Sequence, residues 1–246
     1  PVFNGFSGWQ LYHGEGHGVA HKWRFDEWMH VKLVVNEQQM EVYIDDMENP
    51  VLHAFDLKRE VEAGYLAIYT FLAQPRFANF QYQLLNDPEI KNPDRELPPP
   101  APGTVLEWEV SEAIAGVSLV DKTMLDSEKS VPRSWKTYDV EYTGTLNLAQ
   151  RTAGDDSLNT VLARFEIDVD QASIQKMEFG YSDEARVYVN GQLVYGGQRR
   201  FRSRDYRYLG TIGYFDTLYL SLKPGRNVIT FAVSEQMGGW GVRARL

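Results

Sequence analysis

The stretch from Phe179 to Val233 decides the fold of this chain. It begins F-G-Y-S-D-E-A-R-V-Y-V-N-G-Q-L-V-Y-G-G over 179–197 and, after an arginine-rich segment, continues L-Y-L-S-L-K-P-G-R-N-V-I-T-F-A-V over 218–233. The pair Asn190-Gly191 predicts a type I′ hairpin turn, because both residue types tolerate the positive φ that this turn requires. The residues on either side of it are rich in β-branched and aromatic types, which fit a pleated surface. Lys223-Pro224-Gly225 is a second turn signal before another predicted strand.

The bulk composition narrows the function classes. The 246 residues are 43% hydrophobic and carry a formal net charge of −9. This hydrophobic content is sufficient for packed cores, and the acidic balance argues against nucleic acid as a partner. There is no cysteine, which excludes disulfides, thiolate zinc sites and a cysteine nucleophile. No apolar run of about 18 residues occurs, so we expect no membrane span.

The apolar periodicity of every strong segment is two residues, which predicts strands and no amphipathic helix. Six of the eleven prolines lie between Asn86 and Thr104, and this composition predicts an extended linker. We therefore divide the chain into a first module over 1–85, a linker over 86–103 and a second module over 104–246. Strands are predicted in the first module at 28–35, 41–44, 64–71 and 76–84. In the second they are predicted at 105–110, 137–148, 161–168, 173–180, 186–189, 192–195, 217–222, 227–233 and 241–246, a spacing typical of a two-sheet sandwich.

These segments carry two family resemblances. A-R-V-Y-V-N-G-Q-L-V-Y, L-K-P-G-R-N-V-I-T-F-A-V and the terminal G-G-W-G-V-R-A-R-L resemble the galactose-binding-domain-like jelly rolls of glycoside hydrolases. That family uses its scaffold for sugar binding, for calcium-stapled interaction modules or as a structural spacer. W-M-H-V-K-L-V-V, V-Y-I-D-D, G-Y-L-A-I-Y-T-F and R-F-A-N-F-Q-Y resemble the later strands of a concanavalin A-like lectin/glucanase sandwich of the 3-keto-disaccharide hydrolase group. The resemblance implies opening strands upstream of Pro1, so we expect an all-β fragment with two antiparallel sandwich modules, the first incomplete.

Aromatic residues near the start of the chain are candidate sugar-stacking groups. Trp9 and Tyr12 lie among glycines in G-F-S-G-W-Q-L-Y-H, where they are better placed to be exposed; simple packing is the alternative to ligand contact, and we favour it. Aromatic faces suit the apolar face of a pyranose, while nearby polar groups bind its hydroxyls. Trp28 opens an amphipathic strand, and we expect it in the core.

Three histidines recur every four residues in Y-H-G-E-G-H-G-V-A-H. The interleaved glycines argue against a helix, so His13, Glu15 and His17 would alternate onto one strand face. A metal site there is the alternative to a solvated hairpin with surface histidines, which we favour. His13 is also retained as a ligand-binding candidate.

A basic and aromatic segment interrupts this acidic chain at Q-R-R-F-R-S-R-D-Y-R-Y-L-G. Its candidate binding residues are Arg199, Arg200, Arg202 and Tyr206. Arginine binds carboxylate or sulfate in bidentate fashion, so an anionic polysaccharide is one hypothesis. The alternative, which we favour, is that the arginines pair with acidic neighbours.

Catalytic and metal signals are weak. Glycoside hydrolysis needs two carboxyl groups across the scissile bond, and the adjacent pair Glu107 and Glu109 has the pattern of a solvated strand edge. The E-x-D-x-x-E strand signature of lectin-fold glucanases, G-x-S-x-G and the P-loop motif are all absent from the sequence, and no catalytic residue is assigned. We predict no cofactor, with calcium at Glu109, Glu112 and Asp121 as an alternative drawn from the jelly-roll resemblance.

The sequence thus predicts the carbohydrate-binding portion of a secreted or periplasmic bacterial carbohydrate-active protein. Its partners would be a poly- or oligosaccharide and the upstream part of the same polypeptide, not nucleic acid or a membrane. One alternative is a glycoside hydrolase-like enzyme whose active site is completed upstream. Another is a non-catalytic structural or adhesive β-module.

Overall fold

A computed structural model describes residues 2–3, 6–12, 14, 16–58, 61–70, 72–91, 97–125, 132, 134–152, 154–155, 157–200, 204–208 and 210–246. In chain order the strands are β1 Val2–Phe3, β2 Phe6–Ser7, β3 Val31–Asn36, β4 Gln39–Ile44, β5 Leu52–Ala54, β6 Glu107–Ser111, β7 Trp135–Asp139, β8 Leu146–Asn147, β9 Thr160–Val169, β10 Ser173–Ser182, β11 Glu184–Val189, β12 Gln192–Gln198, β13 Asp216–Leu222, β14 Gly225–Ser234 and β15 Gly241–Arg245. The helical segments are α1 Trp9–Tyr12, a 3₁₀ turn at Gly116–Leu119 and α2 Leu148–Arg151. The strands pair antiparallel, which confirms the all-β fold class. Within the described part, no helix combines the length and hydropathy needed to cross a membrane.

The chain forms two compact units. The first, here called the sandwich unit, comprises Pro1–Gly18 and Leu97–Leu246, and the second, the small unit, comprises Val19–Glu96. The first eighteen residues, which the sequence assigned to the first module, therefore group with the second predicted module. The small unit contains the rest of the first module and part of the proline-rich segment.

Two antiparallel sheets face each other in the sandwich unit. One has the strand order β13-β10-β15-β8 and the other the order β12-β11-β14-β9-β6-β7. The core lies between them: Phe179 on β10 and Phe231 on β14 have ring centroids 5.5 Å apart, and Trp108 on β6 lies 5.5 Å from Phe231. All three side chains are fully buried, and burial of such large apolar surfaces is the main stabilising contribution to the unit.

The predicted hairpin at Asn190-Gly191 is confirmed. Strands β11 and β12 pair from Val189↔Gln192 outward, and Asn190 and Gly191 have φ values of 49° and 83°. The side-chain amide of Asn190 also binds β14. Its Nδ2 donates to Asn227 Oδ1 and its Oδ1 accepts from the Val228 backbone amide, each at 3.0 Å. The second predicted turn, at Lys223-Pro224-Gly225, connects β13 in one sheet to β14 in the other, so it crosses between the layers.

The small unit contains one three-stranded sheet, β3-β4-β5. Its buried centre is partly polar, because the Glu41 carboxylate accepts hydrogen bonds from Tyr43 Oη at 2.6 Å and from the Lys91 amide at 2.9 Å. Ile90 beside Lys91 is also buried. Part of the proline-rich segment thus packs on this sheet.

Three expectations about local structure are wrong. The described residues of the predicted strands 64–71 and 76–84 form no strand, and Tyr65, Tyr69 and Tyr82 among them are exposed. Trp28 is 66% exposed instead of lying in the core. The predicted strand 137–148 is divided between β7 and β8 by a turn at Gly144, whose φ is 80°. The strands are missing or divided because a strand requires a hydrogen-bonded neighbour, which a period of two does not supply. Trp28 is exposed because burial of a side chain requires a second layer over its face.

Candidate functional site

The structure brings the two ends of the sequence-predicted site together at one end of the sandwich unit. The Gln10 amide of α1 donates to Gly238 O, and its side-chain Nε2 donates to Arg199 O at 3.3 Å. Gln10 is buried. We call this region the loop end and define it by residues 9–12, 198–200, 204–208 and 235–240.

The structure describes only some of the residues that the sequence predicted as ligand-binding groups. The side chain of Trp9, and the whole of His13, Glu15 and Arg202, lie outside the described residues. Tyr12 is half-buried against the main core, with its ring edge-on to His17 at 5.8 Å. Tyr206 is fully exposed, so its ring is accessible to a ligand.

The four described arginines of the segment all pair with carboxylates of the same unit, as the sequence favoured. Arg199 and Arg204 bind Asp216, Arg200 binds Glu184, and Arg207 binds Asp205. The Arg207 guanidinium lowers the pKa of Asp205 to about 2. The cationic charge of the loop end is therefore balanced locally, and the predicted ligand-binding role of Arg199, Arg200 and Tyr206 stays a prediction.

A second candidate site, not predicted from the sequence, lies among β6, β9 and β14 of the six-stranded sheet and residues 103–105 and 246. A cavity of about 550 Å³ opens there, and we call it the groove; its lining residues are Gly103, Thr104, Val105, Glu107, Glu109, Arg164, Phe165, Glu166, Arg226 and Leu246. Trp108 and Val110 point into the core, so the alternating Glu107 and Glu109 lie on the opposite, outer face.

Ion pairs hold the charged side chains of the groove in position. Arg164 on β9 is directly opposite Glu109 on β6, and its Nε donates to Glu109 Oε2 at 2.8 Å. The Arg164 guanidinium also lies 3.9 Å from the centre of the Trp135 ring. Arg226 on β14 pairs with Glu166. The sequence carried no specific signal for this site, because charged residues at alternate positions are found on any solvated sheet face.

Two carboxyl side chains with raised pKa values lie beneath the loop end. Asp183 and Glu235 are 0% and 1% exposed, respectively, and burial is the main cause of the raised pKa of each. A polysaccharide cannot reach either group. The pair thus lacks the access that the acid and base of a glycoside hydrolase require.

Two of the three predicted calcium ligands have surroundings that the structure describes in detail. Glu109 is bound to Arg164, and Glu112 is exposed. Over the residues that the structure describes, no group of three or more His, Asp or Glu side chains is arranged to hold a metal ion. Calcium at Glu109, Glu112 and Asp121 stays a prediction.

No protein-family model matches the chain, and no curated protein does. Solved structures with partial similarity include a β-glucosidase from Kluyveromyces marxianus in complex with glucose (14% identity, 57% of this chain and 16% of that chain, TM-score 0.36). Two others are a family 35 carbohydrate-binding module from Clostridium thermocellum (15%, 35% and 70%, TM-score 0.24) and a GH31 α-xylosidase from Xanthomonas citri (13%, 57% and 13%, TM-score 0.24). The chain thus spans about a sixth of the length of the β-glucosidase. At these scores the similarity carries no argument about function.

Proposed function

We propose that the sandwich unit binds carbohydrate and that the groove takes an uncharged, hydroxyl-rich saccharide. The observation that carries this proposal is the open cavity of about 550 Å³, in which Arg164 pairs with Glu109 and Arg226 pairs with Glu166. Its volume lies within the range of small-ligand sites, roughly 300–1,000 Å³. Fixed donors and acceptors lose little conformational entropy when they bind hydroxyl groups.

The charge of the groove favours a neutral ligand. Three carboxylates, Glu107, Glu109 and Glu166, face two guanidinium groups, Arg164 and Arg226. A polyanion would meet no excess of positive charge here. Since the described arginines of the loop end are also paired, uronate or sulfated glycans are disfavoured at both sites.

The loop end is the alternative location for the same function. The exposed ring of Tyr206 offers an apolar stacking surface. Elsewhere in the loop end, the side chains of Gln198 and Gln236 both donate to Glu184 Oε1. Arg199 and Arg200 would supply further donors. This location rests on the sequence-based prediction, whereas the groove adds a cavity.

An enzymatic role has less support. The carboxyl pair with raised pKa values is buried, and Glu109 and Glu166 in the groove are bound to arginines. A structural or adhesive module remains the other alternative, and it would bind no saccharide at all. We also propose, as an extension of carbohydrate binding, that the protein is secreted or periplasmic and is part of a longer carbohydrate-active polypeptide.

The test is calorimetric titration of the full chain with neutral, uronate-containing and sulfated oligosaccharides. Three variants are compared with the wild type: Arg226→Ala with Glu166→Ala in the groove, Tyr206→Ala with Arg200→Ala in the loop end, and Tyr219→Ala as a control. Tyr219 is 70% exposed on the four-stranded sheet, away from both sites. The double groove variant removes an ion pair without leaving one charge unpaired.

We expect a neutral saccharide to bind, and the groove variant to weaken it at least tenfold, which corresponds to about 1.4 kcal/mol. The loop-end and control variants should bind like the wild type. Loss of binding only in the loop-end variant would move the site there. Absence of binding to every glycan would reject the proposed function, and tighter binding of charged glycans would reject the argument from charge.

A further inference from the structure

Asp183 anchors the segment that follows β14. It lies between β10 and β11 and is fully buried. Its Oδ2 accepts the amides of Gln236 at 2.8 Å and Met237 at 2.6 Å, and its Oδ1 accepts Ser182 Oγ at 3.1 Å. Burial raises the pKa of Asp183, while these three donors act in the opposite direction and favour the ionised form. The negative charge of Asp183 thus fixes residues 236–237.

Glu235 is a second buried carboxyl at the same place, and it is poorly compensated. Its Oε1 accepts one long hydrogen bond, from the Gly239 amide at 3.4 Å, and among the described residues its Oε2 has no hydrogen-bond partner. Burial and the negative charge of Asp183 raise the pKa of Glu235 to about 8, while the Gly239 amide acts in the opposite direction. An ionised carboxylate in this position would be costly.

The neighbouring charged groups do not provide the missing counter-ion. Arg200 acts on Asp183 electrostatically, but its guanidinium is bound to Glu184. Arg199 is paired with Asp216, and its amide donates to Asp183 O at 2.6 Å. Gln10, from α1, is neutral. Within the described part of the chain, no cation is bonded to either buried carboxyl.

The segment that follows Glu235 also binds α1. Gly238 O accepts the Gln10 amide, and Gly238 and Gly239 have φ values of 127° and 137°. A Cβ built on Gly238 would lie 3.5 Å from Asp183 Oδ1 and 3.6 Å from Gln10 Nε2. Residues 236–239 therefore lie in close contact with the acid pair, and Gly238 also contacts the helix.

We propose that Asp183 and Glu235 form a proton-dependent lock on the loop end, closed while Glu235 carries a proton and Asp183 is ionised. When Glu235 releases its proton to solvent, two negative charges occupy one buried site. Residues 235–239 then detach, and α1 loses its contact with Gly238. Asp183 and Glu235 do not line the groove, so a test of the lock does not depend on whether the groove binds a saccharide.

The direction of the pH dependence follows from linkage. The folded-state pKa of Glu235 is raised above the ordinary value of about 4.3. Its stabilising contribution is therefore complete below that value and is lost as the pH rises through about 8. The opening equilibrium therefore rises by at most tenfold per pH unit between these two pKa values and is constant above about pH 8.

Hydrogen–deuterium exchange on the full chain, from about pH 6.5 to about pH 9.5, tests the lock. After correction for base catalysis, peptides covering 9–12 and 235–240 should lose up to about tenfold protection per pH unit as the pH rises to about 8, and should lose no more above it. Peptides from β9 should keep their protection. Glu235→Gln is uncharged and of similar size, so its protection should be independent of pH, whereas the control Glu62→Gln, at an exposed carboxylate, should behave like the wild type.

Equal loss of protection between about pH 6.5 and about pH 8 in Glu235→Gln and the wild type would overturn the lock. So would restoration of protection at about pH 9 by millimolar CaCl₂ in the wild type alone, because the pair would then be a cation site. Infrared spectroscopy of the wild type covers the case in which Glu235→Gln does not fold. The carbonyl band of a protonated carboxylic acid should be present at about pH 6.5 and absent at about pH 9.5; its absence at the lower pH would reject the proposal.

Discussion

Strand β9 of the sandwich unit and strand β3 of the small unit both carry alternating apolar residues. The apolar face of β9 is covered by a second layer, whereas that of β3 is exposed to solvent. Val161 and Ala163 on β9 are fully buried against the opposite sheet. Val31, Leu33 and Val35 on β3 are 53%, 57% and 52% exposed. The difference shows that alternation assigns side chains to a face, whereas burial requires a second layer.

The small unit also buries polar side chains while it exposes apolar ones. Glu41 and Tyr43 on β4 are buried and hydrogen-bonded to each other. The exposed aromatic and aliphatic side chains continue beyond the sheet, in residues 61–70 and 72–85. An apolar surface of this kind is a liability for an isolated domain.

The largest effect is expected from separating the units. Residues 19–96 alone should show no cooperative thermal transition and should bind a hydrophobic dye such as ANS, because one three-stranded sheet leaves its apolar face in water. The measurement is circular dichroism during heating, with analytical ultracentrifugation. A monomer that melts cooperatively would show that the small unit has a sufficient core of its own.

A pair of tryptophan substitutions compares the two units within the full chain. Trp108→Ala removes a fully buried ring that packs on Phe165 and Phe231, and should lower the free energy of unfolding by about 3–5 kcal/mol. Trp28→Ala removes a ring that is 66% exposed, and should change it by about 0.5 kcal/mol or less. Urea unfolding measures both. Similar losses would mean that Trp28 is covered in solution.

The smallest effect is expected at the two hairpin turns. Gly191 has φ 83°, and an added Cβ would lie 3.3 Å from Leu125 O, so Gly191→Ala should cost about 1–2 kcal/mol. Glu37, in the β3–β4 turn, has φ 51° without being glycine, so Glu37→Gly should relieve strain and stabilise by up to about 1 kcal/mol. Amide hydrogen exchange in β11–β12 and in β3–β4 measures the change in stability of each hairpin. Destabilisation by Glu37→Gly would contradict the argument from strain.

Within the sandwich unit, most of the fold followed from the sequence, because local rules and tertiary contacts agree there. The Asn190-Gly191 turn, the period of two in β9 and β14, and the aromatic content of β10 all indicate the same pairing. In the small unit the same rules predicted strands at 64–71 and 76–84, where the described residues have none. Those rules describe a strand's own chemistry and carry no information about its partner.

The candidate sites were less predictable. The arginine segment was recognisable as an anomaly, and its pairing with acidic residues was the favoured interpretation, but the partners could not be named: Asp216 and Glu184 are 17 and 16 positions away from Arg199 and Arg200 in the chain. The groove joins residues from β6, β9 and β14. Its members become neighbours only through the sheet order.

By itself, the sequence determined that this is a cysteine-free, acidic, all-β protein with a type I′ hairpin, because composition and short-range backbone preferences are local properties. Only the tertiary structure decided that residues 1–18 group with the sandwich unit, that charged residues of three strands line one groove, and that Asp183 and Glu235 are buried together. These features depend on contacts between residues far apart in the chain. Such contacts are selected by packing and burial over the whole unit, not by the residue types at each position.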